Sequence, residues 1–210
     1  GKGLKMSKST GKIIAPEDIL KKYGADILRT WVAASDYAED LRLDYSILEQ
    51  HAESYRKIRN TFRFLLGNLK DKKIDFNLNS KEIQKWPELE RYILHQIFEL
   101  NKNYEKYFKE YNFHKLYKEL LNFCSLDLSA FYFDIRKDVL YCDDLKSEKR
   151  KISTNLLALT LDILLKWFAP ILSFTTEEIF QIVNPEKNSS IHFENFPKIP
   201  TNWENKKLYE

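Results

Sequence analysis

The chain has 210 residues and carries 34 Lys+Arg against 31 Asp+Glu, a net charge of +3, with 43% hydrophobic residues. It is long enough for one large domain or for a small module joined to a medium one, and too apolar for a disordered segment. Five glycines and six prolines supply too little turn chemistry for a β-sandwich or barrel, so helices are expected.

Residues 1–12 are rich in Lys, Ser and Gly and read as a loop. Pro16 suits the first turn of a short helix over 16–23, with Glu17 and Asp18 near its positive end and Gly24 as its stop. A second helix is expected over 25–34, and Leu41-Arg42-Leu43-Asp44 alternates like a short strand. From there on the pattern is helical throughout. Ile47, Tyr55, Ile58, Phe62, Leu65, Leu66 and Leu69 mark a helix over 46–69; Pro87 opens another, with the stripe Leu89, Ile93, Ile97, Leu100, Tyr104 and Tyr107. Asn112 is the expected N-cap of a third long helix, over 113–135, apolar nearly all round as suits a bundle centre. A polar link over 138–147 leads to a fourth helix over 148–168, which Pro170 breaks. Thr175-x-x-Glu178 has the pattern of a capping box for a last helix ending near residue 183, and the tail from 184 should lie along the surface.

The sharpest chemical signal is Lys5-Met6-Ser7-Lys8-Ser9. Two lysines three residues apart, with small hydroxyl residues between, suit closure over a polyphosphate: ammonium groups meet oxygens, and hydroxyls and backbone N–H groups add hydrogen bonds. On composition alone the alternative is a solvated basic loop. A second constellation lies on the 46–69 helix, where Arg56, Arg59, Asn60 and Arg63 form a polar stripe beside Tyr55, Ile58 and Phe62. Either it is the solvated flank of an amphipathic helix, or it contacts phosphates. Lys102, Lys106 and Lys109 beside Tyr104, Tyr107, Phe108 and Tyr111 form another basic face with aromatics. Asp127 in an apolar helix reads as a hydrogen-bonded structural carboxylate, because no base or nucleophile accompanies it. Cys124 and Cys142 read as a buried small hydrophobe and a surface thiol; the pair excludes a disulfide framework and fits a reducing compartment. The apolar stretch over 155–174 is interrupted by Asp162, Lys166 and Pro170, which argues against a membrane span.

Lys5-Met6-Ser7-Lys8-Ser9 matches the KMSKS signature of class I aminoacyl-tRNA synthetases letter for letter. Tyr23-Gly24-Ala25-Asp26-Ile27-Leu28-Arg29 resembles the segment downstream of that signature in the subfamily for isoleucine, valine, leucine and methionine. Ser35-Asp36-Tyr37, the run from Tyr55 through Asn68, Asp127-Leu128-Ser129-Ala130-Phe131-Tyr132-Phe133-Asp134, and Leu172-Ser173-Phe174-Thr175 before Glu177-Glu178-Ile179 resemble the isoleucyl branch in particular. Thr10 and Lys12 depart from the residues common there.

The resemblance implies a mainly α chain: a small α/β connection carrying the KMSKS loop and a stem-contact element (1–45), then a helical anticodon-binding domain (46–210). It further implies a parent ligase that activates isoleucine with ATP and Mg²⁺ and transfers it to tRNA(Ile), as a cytoplasmic monomer with no protein metal site in this part and no membrane. Lys8 would be catalytic, Lys5, Met6, Ser7, Lys8 and Ser9 would bind ATP, and Arg56, Arg59, Asn60 and Arg63 would bind tRNA. None of His51, His95, His114 and His192 stands in the family's His-Ile-Gly-His pattern. The opening Gly1-Lys2-Gly3 and the single methionine, Met6, accordingly read as a piece of a longer protein that cannot catalyse alone. The valyl, leucyl and methionyl equivalents, a non-catalytic helical RNA-binding module and a helical protein–protein module are the alternatives.

Overall fold

In a computed structural model, residues 14–69 and 80–208 are described. Their elements are α1 (Pro16–Tyr23), α2 (Ala25–Ala34), α3 (Tyr45–Leu69), α4 (Ser80–Ile83), α5 (Glu88–Lys109), α6 (Phe113–Asn122), a π-helical segment (Phe123–Phe133), α7 (Asp134–Cys142), α8 (Glu148–Phe168) and α9 (Ser173–Val183), then three short 3₁₀ turns. There is no strand among the described residues, so the expected α/β connection is helical where it is described. Residues 41–43 find no partner strand among the described residues, and a lone alternating segment has no ladder to join. Instead the Trp31 indole donates to the Arg42 carbonyl (3.2 Å), and Asp44 becomes the cap of α3. Its carboxylate accepts from the Ser46 hydroxyl (2.6 Å) and the Ile47 amide (2.8 Å), and these two bonds, in that order, hold its pKa below the ordinary range.

Gly24 links α1 to α2 at φ +84°, a left-handed conformation that favours glycine over any side chain. The α6, π-helical and α7 segments run on as one rod, because the backbone keeps right-handed helical angles at Phe123 and Asp134. The link to α8 is correspondingly shorter than expected. Within the π segment Ser129 Oγ donates to the Cys124 carbonyl five residues back (2.7 Å), and Thr61 of α3 donates to the same oxygen (3.2 Å). The 113–135 stretch is buried along one side, with Leu120, Cys124, Leu128 and Tyr132 wholly enclosed and Phe131 40% exposed, and α8 is buried more nearly all round, with Leu156, Leu164, Trp167 and Phe168 wholly enclosed. α8 packs between α3, α5, α7 and α9.

Three local readings change. Asn112 stands at the N-cap position of α6, but its side chain caps nothing and its Oδ1 is buried without a partner. The Thr175-x-x-Glu178 capping box does not form, because the N-cap position of α9 is Leu172, three residues earlier, and the Thr175 hydroxyl donates to Asp26. The tail is more than a surface strap. Ile191 and Trp203 are buried, and Glu177 Oε2 accepts from the Ser190 hydroxyl (2.8 Å) and the Ile191 amide (3.0 Å).

The interior also holds a charged cluster. Glu90, fully enclosed, accepts two bonds from the Arg136 guanidinium (2.6 and 2.9 Å), one from the Tyr132 hydroxyl (3.1 Å) and one from Ser153 (3.2 Å). The cluster ties α5, the π segment, α7 and α8 together with both carboxylate oxygens engaged, which is what makes a buried carboxylate tolerable.

Candidate nucleic-acid interface

α3 is amphipathic, and its spacing sorts its side chains. Ile58, Phe62 and Leu65 point into the core, while Arg56, Arg59, Asn60 and Arg63 all stand exposed on one side. The four are brought together on one stripe, but they are not equivalent. Arg56 is engaged by two carboxylates of its own helix, Glu53 and Glu49 (3.4 Å). Arg59 and Arg63 make no ion pair with the described residues. Among the described residues they are thus two exposed cations without an ion-pair partner, with Asn60 between them as a hydrogen-bonding group.

Of the second basic face, Tyr104 is core: it stacks on Trp167 (5.7 Å between rings) and donates to that residue's carbonyl (3.2 Å). Phe108 meets Phe113 and Phe196, and Tyr111 alone of that group is largely exposed, at φ +55°. Lys102 is held by Glu99 (3.1 Å), while Lys106 and Lys109 are exposed. A groove of 580 Å³ between α5 and the α6–π rod is lined by His95, Glu99, Asn103, Glu119, Asn122, Asp127 and Lys206, a mixture of charges that favours no single sign of ligand. Asp127, half-buried in its wall, accepts no hydrogen bond from the described residues, contrary to expectation, and burial raises its pKa. Cys124 is enclosed and its thiol pKa is pushed up by burial, so it is no nucleophile; Cys142 is exposed. No group of three or more His, Cys, Asp or Glu among the described residues is arranged to hold a metal ion, and none of their helices is long and apolar enough to cross a membrane. Lys5, Met6, Ser7, Lys8 and Ser9 lie outside the described residues.

Sequence reasoning missed the joint between α2 and the bundle. Asp26, 7% exposed, accepts the amides of Phe174 (3.3 Å) and Thr175 (2.8 Å) and the Thr175 hydroxyl (2.6 Å). Thr175 Oγ1 also meets the Tyr55 hydroxyl of α3 (2.9 Å). One turn on, Arg29 donates to the carbonyls of Ile171 (3.0 Å) and Pro170 (2.5 Å). Tyr23-Gly24-Ala25-Asp26-Ile27-Leu28-Arg29 was the available signal, but the partners of Asp26 and Arg29 lie more than 140 residues away.

The helical architecture agrees with what comparison finds. Residues 90–210 match the family model described as the anticodon-binding domain of tRNA ligase, and residues 1–44 match that of class I tRNA synthetases (I, L, M and V). The chain belongs to the family of anticodon-binding domains of tRNA ligases. It is similar to the isoleucine–tRNA ligases of Pelagibacter ubique (66% identity over the whole chain, 23% of that protein), Ruegeria pomeroyi (45% over 97%, 21% of that protein) and Geobacter sulfurreducens (41% over the whole chain, 22% of that protein). It thus spans between a fifth and a quarter of the length of these relatives. Its fold is also that of a part of the LeuRS of Agrobacterium radiobacter K84, solved as a ternary complex with tRNA and LeuAMS: the TM-score is 0.71 at 17% identity, over 99% of this chain and 23% of that one.

Proposed function

We propose that this chain is part of an isoleucine–tRNA ligase, which joins isoleucine to ATP as an adenylate and then acylates tRNA(Ile). The observation that carries the reading is the 66% identity sustained across all 210 residues to a ligase of that name. In this reading residues 1–45 form the connection that carries the ATP-site loop, and 46–210 form the anticodon-binding domain, in a cytoplasmic monomer. Lys8 neutralises charge that grows on the pyrophosphate-side oxygens in the transition state, and Lys5 assists. Ser7, Ser9 and the backbone at Met6 offer hydrogen bonds to the same oxygens, and Mg²⁺ enters with ATP. Arg59 and Arg63, with Asn60 between them, take phosphates of tRNA, and Arg56, already in exposed ion pairs with Glu49 and Glu53, adds least to them.

The test is Lys8→Ala in the whole ligase. Isoleucine-dependent ATP–pyrophosphate exchange should slow by about 10²–10³-fold, as for loss of one donor to a developing oxyanion, with little change in isoleucine affinity. Exchange within threefold of the unaltered enzyme would contradict the role given to Lys8.

A further inference from the structure

Two helices packed side by side ordinarily fill their seam with apolar side chains. The groove between α5 and the α6–π rod departs from that pattern. Gln96, Leu100 and Asn103 follow one another along α5, and Glu119, Phe123 and Asp127 along the rod, at the helical spacing that puts each set on one face. The middle of each set, Leu100 and Phe123, is apolar, and the ends are amides and carboxyls. The lysines of the lining are already matched, Lys102 by Glu99 (3.1 Å) and Lys206 by Glu204 (3.5 Å). Gln96, Asn103 and Asp127, all half-buried, make no side-chain hydrogen bond with the described residues. A groove of 580 Å³ with an apolar middle, unengaged amides and one unsupported carboxyl suits a flat, uncharged ligand with donors on its edge. A phosphate would instead be repelled by the carboxyls. The groove and the arginine stripe flank the same rod: Thr61, next to Asn60 on α3, donates to the rod's Cys124 carbonyl (3.2 Å).

We propose that this groove takes an unpaired guanine of the bound RNA and that Asp127 is the residue that selects it; the proposal rests on the tRNA-binding reading above. Among the four bases guanine alone carries two adjacent donors on its pairing edge, N1–H and the N2 amino group, and a carboxylate accepts such a pair with its two oxygens. Adenine and cytosine set one amino group beside an acceptor, and uracil sets one N–H between two carbonyls. Each of these would leave a carboxylate oxygen facing another acceptor. The half-buried setting sharpens the choice, because a carboxylate there is costly without donors and tolerable with two. Leu100 and Phe123 give the faces of the base an apolar contact, and the amides of Gln96 and Asn103 remain for its other polar atoms. Phosphates on Arg59 and Arg63 supply affinity for any sequence, and the groove adds the discrimination.

The test measures binding of stem–loop RNAs to the full chain. Their loops are all uridine but for one position, which holds guanine, inosine or adenine; inosine keeps N1–H and lacks the N2 amino group. The unaltered chain should bind the guanine RNA about tenfold more tightly than the adenine RNA, with inosine between them. Asp127→Asn, whose amide cannot accept both donors, should bring the three RNAs within about twofold of one another and leave the adenine RNA bound as before. A merely structural role for Asp127 would weaken all three RNAs equally. If Asp127→Asn fails to fold, Asn103→Ala should reduce the guanine preference about threefold. Arg59→Ala/Arg63→Ala should weaken all three RNAs and keep the preference. An unaltered chain without a guanine preference, or a preference that survives in folded Asp127→Asn, overturns the groove, and the tRNA-binding reading stands if the arginine pair still matters. No binding of any of these RNAs or of tRNA by the unaltered chain overturns both. Guanosine monophosphate bound as tightly as the guanine RNA would overturn RNA as the source of the base.

Discussion

Asp127 is a half-buried carboxyl in the groove wall with no hydrogen bond from the described residues to support its charge, and burial holds its pKa above the ordinary carboxylate value. A carboxyl whose folded pKa is raised costs stability at every pH above that pKa, and the cost disappears once pH falls below the unfolded value, about 3.9. Asp127→Asn should therefore raise the melting temperature at pH 7, with the gain fading toward zero below about pH 4. Melting curves across that range check it; a gain that persists unchanged in acid would point to packing and not to charge. Asp44 and Glu177 act in the opposite sense. Glu177 loses some ionisation to burial, but bonds from Gln181, Ser190 and Ile191 outweigh this and lower its pKa. Both carboxylates add stability above the unfolded pKa and lose it as pH falls through the folded one, so the caps of α3 and of the tail should weaken only as pH drops below the ordinary carboxylate range.

Among the elements, the long helices were largely legible. α1, α2, α3, α5 and α8 fall where periodicity, Pro16, Pro87 and Pro170 put them, because those signals are local, whereas α9 starts ahead of its expected cap. What could not be read is what crosses the chain. Thr175-x-x-Glu178 satisfies a local pattern, yet the acceptor for the Thr175 amide is Asp26, and nothing near Thr175 announces it. The same holds for Glu90, which reads as one more acidic residue in the first turn of α5 until Arg136, Tyr132 and Ser153 converge on it. The π-helical turn was invisible too, since a 123–133 stretch that is apolar nearly all round suits either helix type. The Glu90 cluster makes a testable claim at this scale. Glu90→Leu alone strands a buried guanidinium and should cost about 3–5 kcal/mol in urea unfolding, whereas adding Arg136→Met should restore much of the loss. A single variant within about 1 kcal/mol of the parent chain would show the cluster to be energetically idle.

For the whole molecule, the α3 stripe was legible in the sequence as a face, but its division of labour was not. Only the structure separates Arg56, neutralised by Glu49 and Glu53, from Arg59 and Arg63. The same bundle that buries α8 holds α3 against it and presents those two guanidinium groups outward, so the account predicts a nucleic-acid face with about two phosphate contacts. The measurement that tests this most directly is binding of tRNA to the 210-residue chain as a function of salt, with and without Arg59→Ala/Arg63→Ala. Each phosphate contact releases roughly 0.7–0.9 counterions, so log affinity should fall with log salt at a slope of about −1.4 to −1.8 from these two residues. The double variant, shown by circular dichroism to keep its helices, should lose that part of the slope and weaken matched and unmatched tRNAs alike. A folded double variant with undiminished affinity and an unchanged slope would contradict the account and move the contact to the face of Lys102, Lys106 and Lys109.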